Sequence, residues 1–483
     1  MTTGFDLWDF QVWDFFITLA ILFAAMILAN FLIKVIKPIR KLLIPAPVLG
    51  GFLLLAFLGI YKAISGNDIL EPSTLEMLTY HGLGLGCAAL ALKTSEKKPN
   101  QHAGREIFNS SLVTTSTYLL QGICGLAISI GLFFLINCWP ASGMLVPMGY
   151  GQGPGQAYNW GHTYETTWGF ENGTSFGLTV AALGFVACSI GGVLYLNIMR
   201  RRHNPKILTD VQKAELAEQA FMEEGKAGIM GKNEIPLSDT MDKLSVQFAL
   251  TFLAYAIALG ISYGVSVLCD LSGVGILVDT VKPLFWGFNF IFATIGGIII
   301  KAIMNGCTKK GLMKKVYTNN VLLDRVSGLM FDVMIVAAIG SINLSAFKQK
   351  SFVIPMLVMC AVAAVLSYLY VSHVCKKLFP KYNDESFLAL YGMLTGVVGT
   401  GVILLREIDP RFETLACNNL LLQTLWTCLL GFPILLLMGF APRSMTWAFI
   451  TLGILVVLFI VFYIWIRLAA KKVAKVSAKE AEQ

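Results

Sequence analysis

The sequence predicts an all-α polytopic membrane protein. Two inverted repeats of five transmembrane helices, each with a re-entrant hairpin, are followed by one extra C-terminal helix, about eleven spans in all. Three observations predict this. The composition is far too apolar for a soluble domain. Lys and Arg fall in short clusters between apolar runs. Each half of the chain carries one glycine-rich break just before its fifth run.

The composition sets the class. Of 483 residues 56% are hydrophobic and only 14% charged, and the mean hydropathy is +0.69. Values of that kind belong to polytopic membrane proteins. The net charge of +8 does not point to nucleic acid, because clusters of positive charge between apolar runs are the pattern that orients a protein in a bilayer. The ten cysteines have no CxxC and no Cys/His ligand spacing, so they imply neither a disulfide framework nor a zinc site. No phosphate-binding GxxxxGK[ST], no HExxH and no Ser/His/Asp constellation is present, so the chain reads as a non-enzyme without a cofactor. The N-terminus lacks a basic region and a small-residue cleavage site, and its first apolar run reads as a retained helix.

An apolar run crosses a bilayer in about 20 residues. In the first repeat, 1–202, such runs lie near 13–35, 44–63, 75–92, 108–136 and 173–199. Lys34, Lys37, Arg40 and Lys41 close the first, so it runs from outside to inside, and Arg200, Arg201 and Arg202 close the fifth. Pro45 and Pro47 suit the start of the second helix, where a missing amide costs little. Residues 203–244 are polar, with a helical pattern from Asp210 to Glu224, and read as a cytoplasmic linker. The second repeat, 245–440, has runs near 245–269, 284–304, 321–344, 352–375 and 414–440. Residues 441–483 hold an additional helix near 447–466 and a basic cytoplasmic tail. Of the 37 Lys and Arg only Lys62, Lys282, Lys348, Lys350 and Arg443 fall outside and Arg325 within a span, an asymmetry that places the N-terminus outside and the C-terminus in the cytoplasm.

The breaks carry the functional reading. The run Gly149 to Gly161 has five glycines and a proline and no charge, which excludes an ordinary spanning helix. Its counterpart is Tyr391 to Gly401. Irregular backbone at membrane depth survives only where protein buries it or a watery cavity hydrates it. These stretches therefore read as hairpins near 142–161 and 386–405, entering from opposite faces with tips that meet near mid-membrane. Broken segments at matching positions of inverted repeats point to the binding site of a secondary transporter. Amides at a helix start suit a carboxylate, and unwound carbonyls suit a dehydrated sodium ion. The candidate substrate-binding residues are Gly151, Gln152, Gly153, Gly155, Gln156, Tyr158, Asn159, Thr395, Gly396, Thr400 and Arg406. The candidate ion-binding residues are Gly149, Gly399, Thr395 and Asp332. Transport would be driven by an ion gradient, since one charge crossing 100 mV supplies about 2.3 kcal/mol.

Five residues keep two readings. Asp332 reads as a cation or substrate ligand, or as a structural partner to a hydroxyl or amide. Arg406 reads as a partner for a substrate carboxylate or as an interfacial anchor. Tyr158 walls the pocket or simply packs, as does Trp160. His81 reads as a hydrogen-bonded packing residue, or as a proton carrier.

The ordered motifs resemble the bacterial glutamate:sodium symporter family over roughly residues 40–440. Ile44 to Phe52 resembles that family's proline-glycine start of the second helix. Tyr150 to Tyr158 is similar to its first re-entrant loop, with Gly151, Gly153, Gly155, Ala157 and the aromatic Tyr158 in matching places. Gly169-Phe170, Thr174, Gly191-Gly192, Val326-Ser327 and Tyr391 to Thr400 match further motifs in order. Gln152 and Pro154 stand where the family has His and Thr, and Leu404 lies near a family Asn. The resemblance implies a sodium-coupled symporter of an amino acid or small carboxylate, most simply glutamate, in the bacterial cytoplasmic (inner) membrane. It also implies a homodimer in which a hairpin-bearing transport part slides against a dimerising scaffold. The rival readings are a sodium-independent or proton-coupled exchanger on the same fold, and a channel.

Overall fold

The computed structural model describes residues 10–94, 101–202, 241–275, 277–278 and 282–481. Among them the regular structure is helical and no strand occurs. The expected linker helix from 210 to 224 lies outside the described residues.

The helices are α1 (Phe10–Val35), α2 (Lys37–Lys41), α3 (Ala46–Ser65), α4 (Pro72–Leu92), α5 (Gln101–Ile136), α6 (Leu145–Gln152), α7 (Pro154–Trp168) and α8 (Gly173–Arg201). There follow α9 (Lys243–Ser272), α10 (Lys282–Gly287), α11 (Asn289–Lys309), α12 (Asn320–Gly340) and α13 (Lys350–Leu378). The last five are α14 (Asn383–Leu394), α15 (Val398–Arg406), α16 (Ala416–Leu422), α17 (Thr424–Phe440) and α18 (Met445–Ala481).

Ten of the described helices are long and apolar enough to cross a membrane. The expected span at 321–344 is α12, which is long enough but carries Asp324, Arg325 and Asp332 in its 21 residues and so is not among the ten. Two other expected runs are interrupted: 284–304 at Phe288, between α10 and α11, and 414–440 at Gln423, between α16 and α17. The basic segment after 466 is helical to Ala481, an extension of α18. Side chains such as Phe16, Ile27, Val457, Ile460 and Ile464 are exposed on α1 and α18. Such apolar faces suit hydrocarbon rather than water.

The helices group into two compact units that interleave in sequence. One unit contains residues 10–31, 46–94, 241–275, 277–278 and 282–341, and the other contains 32–45, 101–202 and 342–481. Each unit therefore takes helices from both predicted repeats.

In the first unit α4 packs against α12, α11, and α9. Its alternate glycines make room for large neighbours. A Cβ at Gly84 would fall 2.3 Å from the Tyr255 ring, and one at Gly86 2.4 Å from Phe331. Without a hydrophobic drive between helices in lipid, close packing of this kind holds them together. His81, one turn before Leu85, is hydrogen-bonded through Nδ1 to Tyr255 Oη at 2.9 Å. The end of α4 is clamped. Lys301 Nζ donates to the Ala91 and Lys93 carbonyls, each at 3.0 Å, and Lys93 pairs with Asp324 at 2.7 Å. Asn320 exchanges two 2.9 Å hydrogen bonds with the Thr94 backbone. A cation at a helix C-terminus offsets its partial negative charge. Side-chain caps begin two helices of this unit: Asp242 accepts from the Leu244 and Ser245 amides, and Asn319 from the Leu322 amide.

The second unit is built on α5, which packs against α13, α17, α18 and α6, while α7 lies along α8. The α7/α8 contact is backbone against backbone. A Cβ at Gly177 would lie 2.3 Å from the Ala157 carbonyl oxygen, and one at Gly161 2.5 Å from that of Gly173. This unit holds both glycine-rich stretches.

Candidate functional site

The first glycine-rich stretch is far more helical than its composition suggests. α6 ends at Gln152, Gly153 alone leaves the helical region, and α7 begins at Pro154. The irregular backbone expected across Gly149 to Gly161 is thus confined to Gly153. The other glycines of the run serve close packing: a Cβ at Gly149 would meet Val180 and Ala181 at 2.8 Å, and one at Gly151 the Tyr118 ring at 2.1 Å. Tertiary contact outweighs the roughly 1 kcal/mol helix penalty of each glycine.

Gly153 has φ +81° and ψ −175°, a region open essentially to glycine alone. A Cβ there would lie 2.7 Å from Val397 Cγ1 and 3.5 Å from the Gly396 carbonyl oxygen. The break after α6 therefore touches the break after α14, at Thr395-Gly396-Val397. Both belong to the same unit.

The second break is organised by two threonines. Thr395 is buried, and its hydroxyl donates to the Tyr391 carbonyl at 2.7 Å, closing the last turn of α14. Thr400 stands at the third position of α15. Its hydroxyl oxygen accepts from the Val397 amide at 3.0 Å and has the Gly392 and Val397 carbonyls at 2.6 and 2.7 Å to receive its proton. A side chain reaching back to the first amide is half of a capping box. Gly399, in the first turn of α15, is exposed and would have only Val397 Cγ2 near a Cβ, at 3.9 Å.

Two helices thus end and two begin at one place. The first turn of a helix leaves amides without carbonyl partners and carries a partial positive charge; the last turn leaves carbonyls and a partial negative charge. The amides of Gly155 and Gln156 in α7 and of Gly399 in α15 occupy such first turns. The arrangement offers donors to an anion and oxygens to a cation.

Gln156 is 2% exposed, and neither Oε1 nor Nε2 has a hydrogen-bond partner among the described residues. Gln152 is half-buried at the end of α6. Asn159 is buried on α7, and its carbonyl takes the Thr163 hydroxyl at 2.7 Å. Tyr158 is buried with its ring stacked on His162 at 5.5 Å. Trp160 is fully buried beside Tyr164.

One candidate stands apart from this centre. Arg406 is the last residue of α15, eight residues beyond Val398 and hence about 12 Å along the helix; it is exposed, with its guanidinium 5.3 Å from the Phe412 ring centroid. Asp332 belongs to α12 of the other unit and is exposed there.

Several residues around the breaks were not anticipated. Tyr118 and Gln121 sit one turn apart on α5. Tyr118 Oη donates to the Gly151 carbonyl at 2.9 Å, and Gln121 Nε2 donates to the Leu394 carbonyl, also at 2.9 Å. Each helix that ends at the site has one of its last carbonyls held by α5. Tyr150 Oη donates to the Cys360 carbonyl at 2.8 Å. Gly184 lets α8 pass the second break, since a Cβ would fall 2.8 Å from the Thr395 carbonyl oxygen. The only signal in the sequence was the run of polar residues in α5, from Ser110 to Gln121.

At the start of α14, Tyr382 donates to Glu106 at 2.5 Å and accepts from Asn419 at 3.0 Å, and Tyr195 donates to Asp384 at 2.7 Å. Burial, then the Glu106 carboxylate, pushes the Tyr382 phenol above its usual range, so it stays a donor.

These features define a polytopic all-helical membrane protein in which two broken helices meet at their breaks within one unit. The Sodium/glutamate symporter family model matches residues 12–402, and the chain belongs to that family. It is 23% identical over 410 residues to the Sodium/glutamate symporter of Escherichia coli (strain K12), covering 82% of this chain and 90% of the relative. The protein of the same description from Shigella flexneri matches with the same figures. No solved structure matches the chain.

Proposed function

We propose that this chain imports glutamate, or a closely related small carboxylate, together with sodium across the bacterial cytoplasmic membrane. The observation that carries this reading is Gln156: a buried amide with both polar atoms unpartnered among the described residues, in the first turn of α7 at the meeting of the two breaks. Leaving such a group unmade costs about 1–3 kcal/mol. A substrate with both donors and acceptors removes that cost, and an amino acid has both. The amides of the α7 and α15 first turns bind its carboxylate, and the carbonyls that end α6 and α14 serve sodium. The relatives in Escherichia coli and Shigella flexneri, each a Sodium/glutamate symporter, agree with this chemistry.

In this proposal the two breaks are tips of re-entrant hairpins that enter from opposite faces, and the two halves of the chain are inverted repeats. The hairpin-bearing unit is the moving part of an elevator, and the other unit is the scaffold of a homodimer. The N-terminus is outside and the C-terminus cytoplasmic. Charge asymmetry supports the orientation, and the interleaving of the units supports the division of labour.

The test is uptake of labelled glutamate into proteoliposomes with sodium outside. Uptake that persists when choline replaces sodium excludes sodium coupling. Homoexchange without any ion gradient would instead favour an exchanger, the reading suggested by Gln152 and Pro154 in place of the family's His and Thr.

A further inference from the structure

We infer that Gln121 is a ligand of a monovalent cation held at the C-terminal end of α14. Gln121 is 1% exposed on α5. Its Nε2 donates to the Leu394 carbonyl and to Ser367 Oγ, each at 2.9 Å. A carbonyl only accepts, so the amide must present its NH2 to Leu394, and the two ends of the side chain are not interchangeable. The remaining atom, Oε1, is buried and has no hydrogen-bond partner among the described residues.

The surroundings suit a cation. Leu394 is the last residue of the 12-residue helix α14, whose end carries partial negative charge. The next carbonyl along the chain, that of Thr395, faces Gly184 of α8. Ser367 is fully buried, and its hydroxyl oxygen keeps a second lone pair beside the one that accepts from Gln121. These are neutral hard oxygens, with no carboxylate among them. Such a set fits one positive charge, whereas calcium draws on carboxylates.

This inference rests on the proposed sodium-coupled transport and assigns one residue of its ion site. It ties the ion to α5, because the amide whose Oε1 binds the cation also holds the second break through Nε2. Sodium bound there would order the end of α14.

The test is the thermal unfolding of purified full-length protein without substrate, in sodium chloride against choline chloride at equal ionic strength. A ligand that binds only the folded state raises its apparent stability. The wild-type protein is expected to melt higher in sodium. Gln121→Leu is expected to need at least about tenfold more sodium for the same rise. Gln121→Glu, which keeps an oxygen in place, is expected to retain the response. A Gln121→Leu protein with the wild-type sodium response overturns the inference, since Oε1 would then be bonded to water alone. So does a folded Gln121→Glu protein that has lost the response; this variant decides the matter if Gln121→Leu does not fold. A wild-type protein with neither a sodium response nor sodium-dependent uptake refutes the transport proposal itself. Sodium-dependent uptake with an unchanged Gln121→Leu response refutes only the assignment of Gln121.

Discussion

Gly153→Ala is the substitution on which the geometry speaks most directly. Its backbone, at φ +81° and ψ −175°, costs a residue with a Cβ on the order of 1–3 kcal/mol. The new methyl would also sit 2.7 Å from Val397 Cγ1. Overpacking of that kind costs about 1–3 kcal/mol more. The total is roughly 2–6 kcal/mol against the observed meeting of the two breaks, and 1.4 kcal/mol is a factor of ten in population. Uptake by Gly153→Ala should therefore fall by at least about tenfold, with a lower melting temperature. The two costs are separable. Val397→Ala removes Cγ1, so the double variant should recover the steric part and keep the backbone part. The assay is a double-mutant cycle on melting temperature and initial uptake rate, which isolates the coupling of two neighbours. Wild-type behaviour in Gly153→Ala would refute the reasoning. Full recovery in the double variant would show that the backbone carries no strain, and would leave only a contact.

The remaining predictions concern the same centre. Gln156→Leu should melt at or above the wild-type temperature, since it removes buried polar atoms unpartnered among the described residues, yet lose at least about tenfold in glutamate affinity by calorimetry or uptake. Thr400→Val should lower stability by about 1–2 kcal/mol through loss of the link to the Val397 amide, and Thr400→Ser should restore most of it in the same melting assay. Arg406→Ala should leave the substrate concentration for half-maximal uptake within about twofold, because its guanidinium lies over Phe412 at the far end of α15; a rise above tenfold would place it in the site after all.

Much of the helical layout could be read along the chain because it depends on local quantities. Bilayer thickness sets the length of an apolar run, and ten such helices occur among the described residues. The two breaks were also legible: Pro154 cannot continue α6, and Gly153 adopts what other residues avoid. Gln156 was a candidate for the same reason, as a polar side chain in an uncharged segment. Glycine content misled the reading elsewhere. Gly149, Gly151, and Gly161 look like helix breakers in one dimension, but the Tyr118 ring and the backbone of α8 occupy the space their missing side chains leave.

The sequence by itself determined an all-helical membrane protein, the position of its breaks and the chemistry available at them, because hydropathy, proline and the glycine at the break act through near neighbours. Only the tertiary structure decided which residues meet. Gln121 reaches Leu394 across 273 positions and Tyr118 reaches Gly151 across 33, and no helical period announces such partners. It likewise decided that Arg406 lies over Phe412 at the far end of α15 and that Asp332 belongs to the other unit. It also drew the two units from both halves of the chain. Packing depends on shape complementarity between distant segments, and a linear pattern of polar and apolar residues does not encode which faces touch.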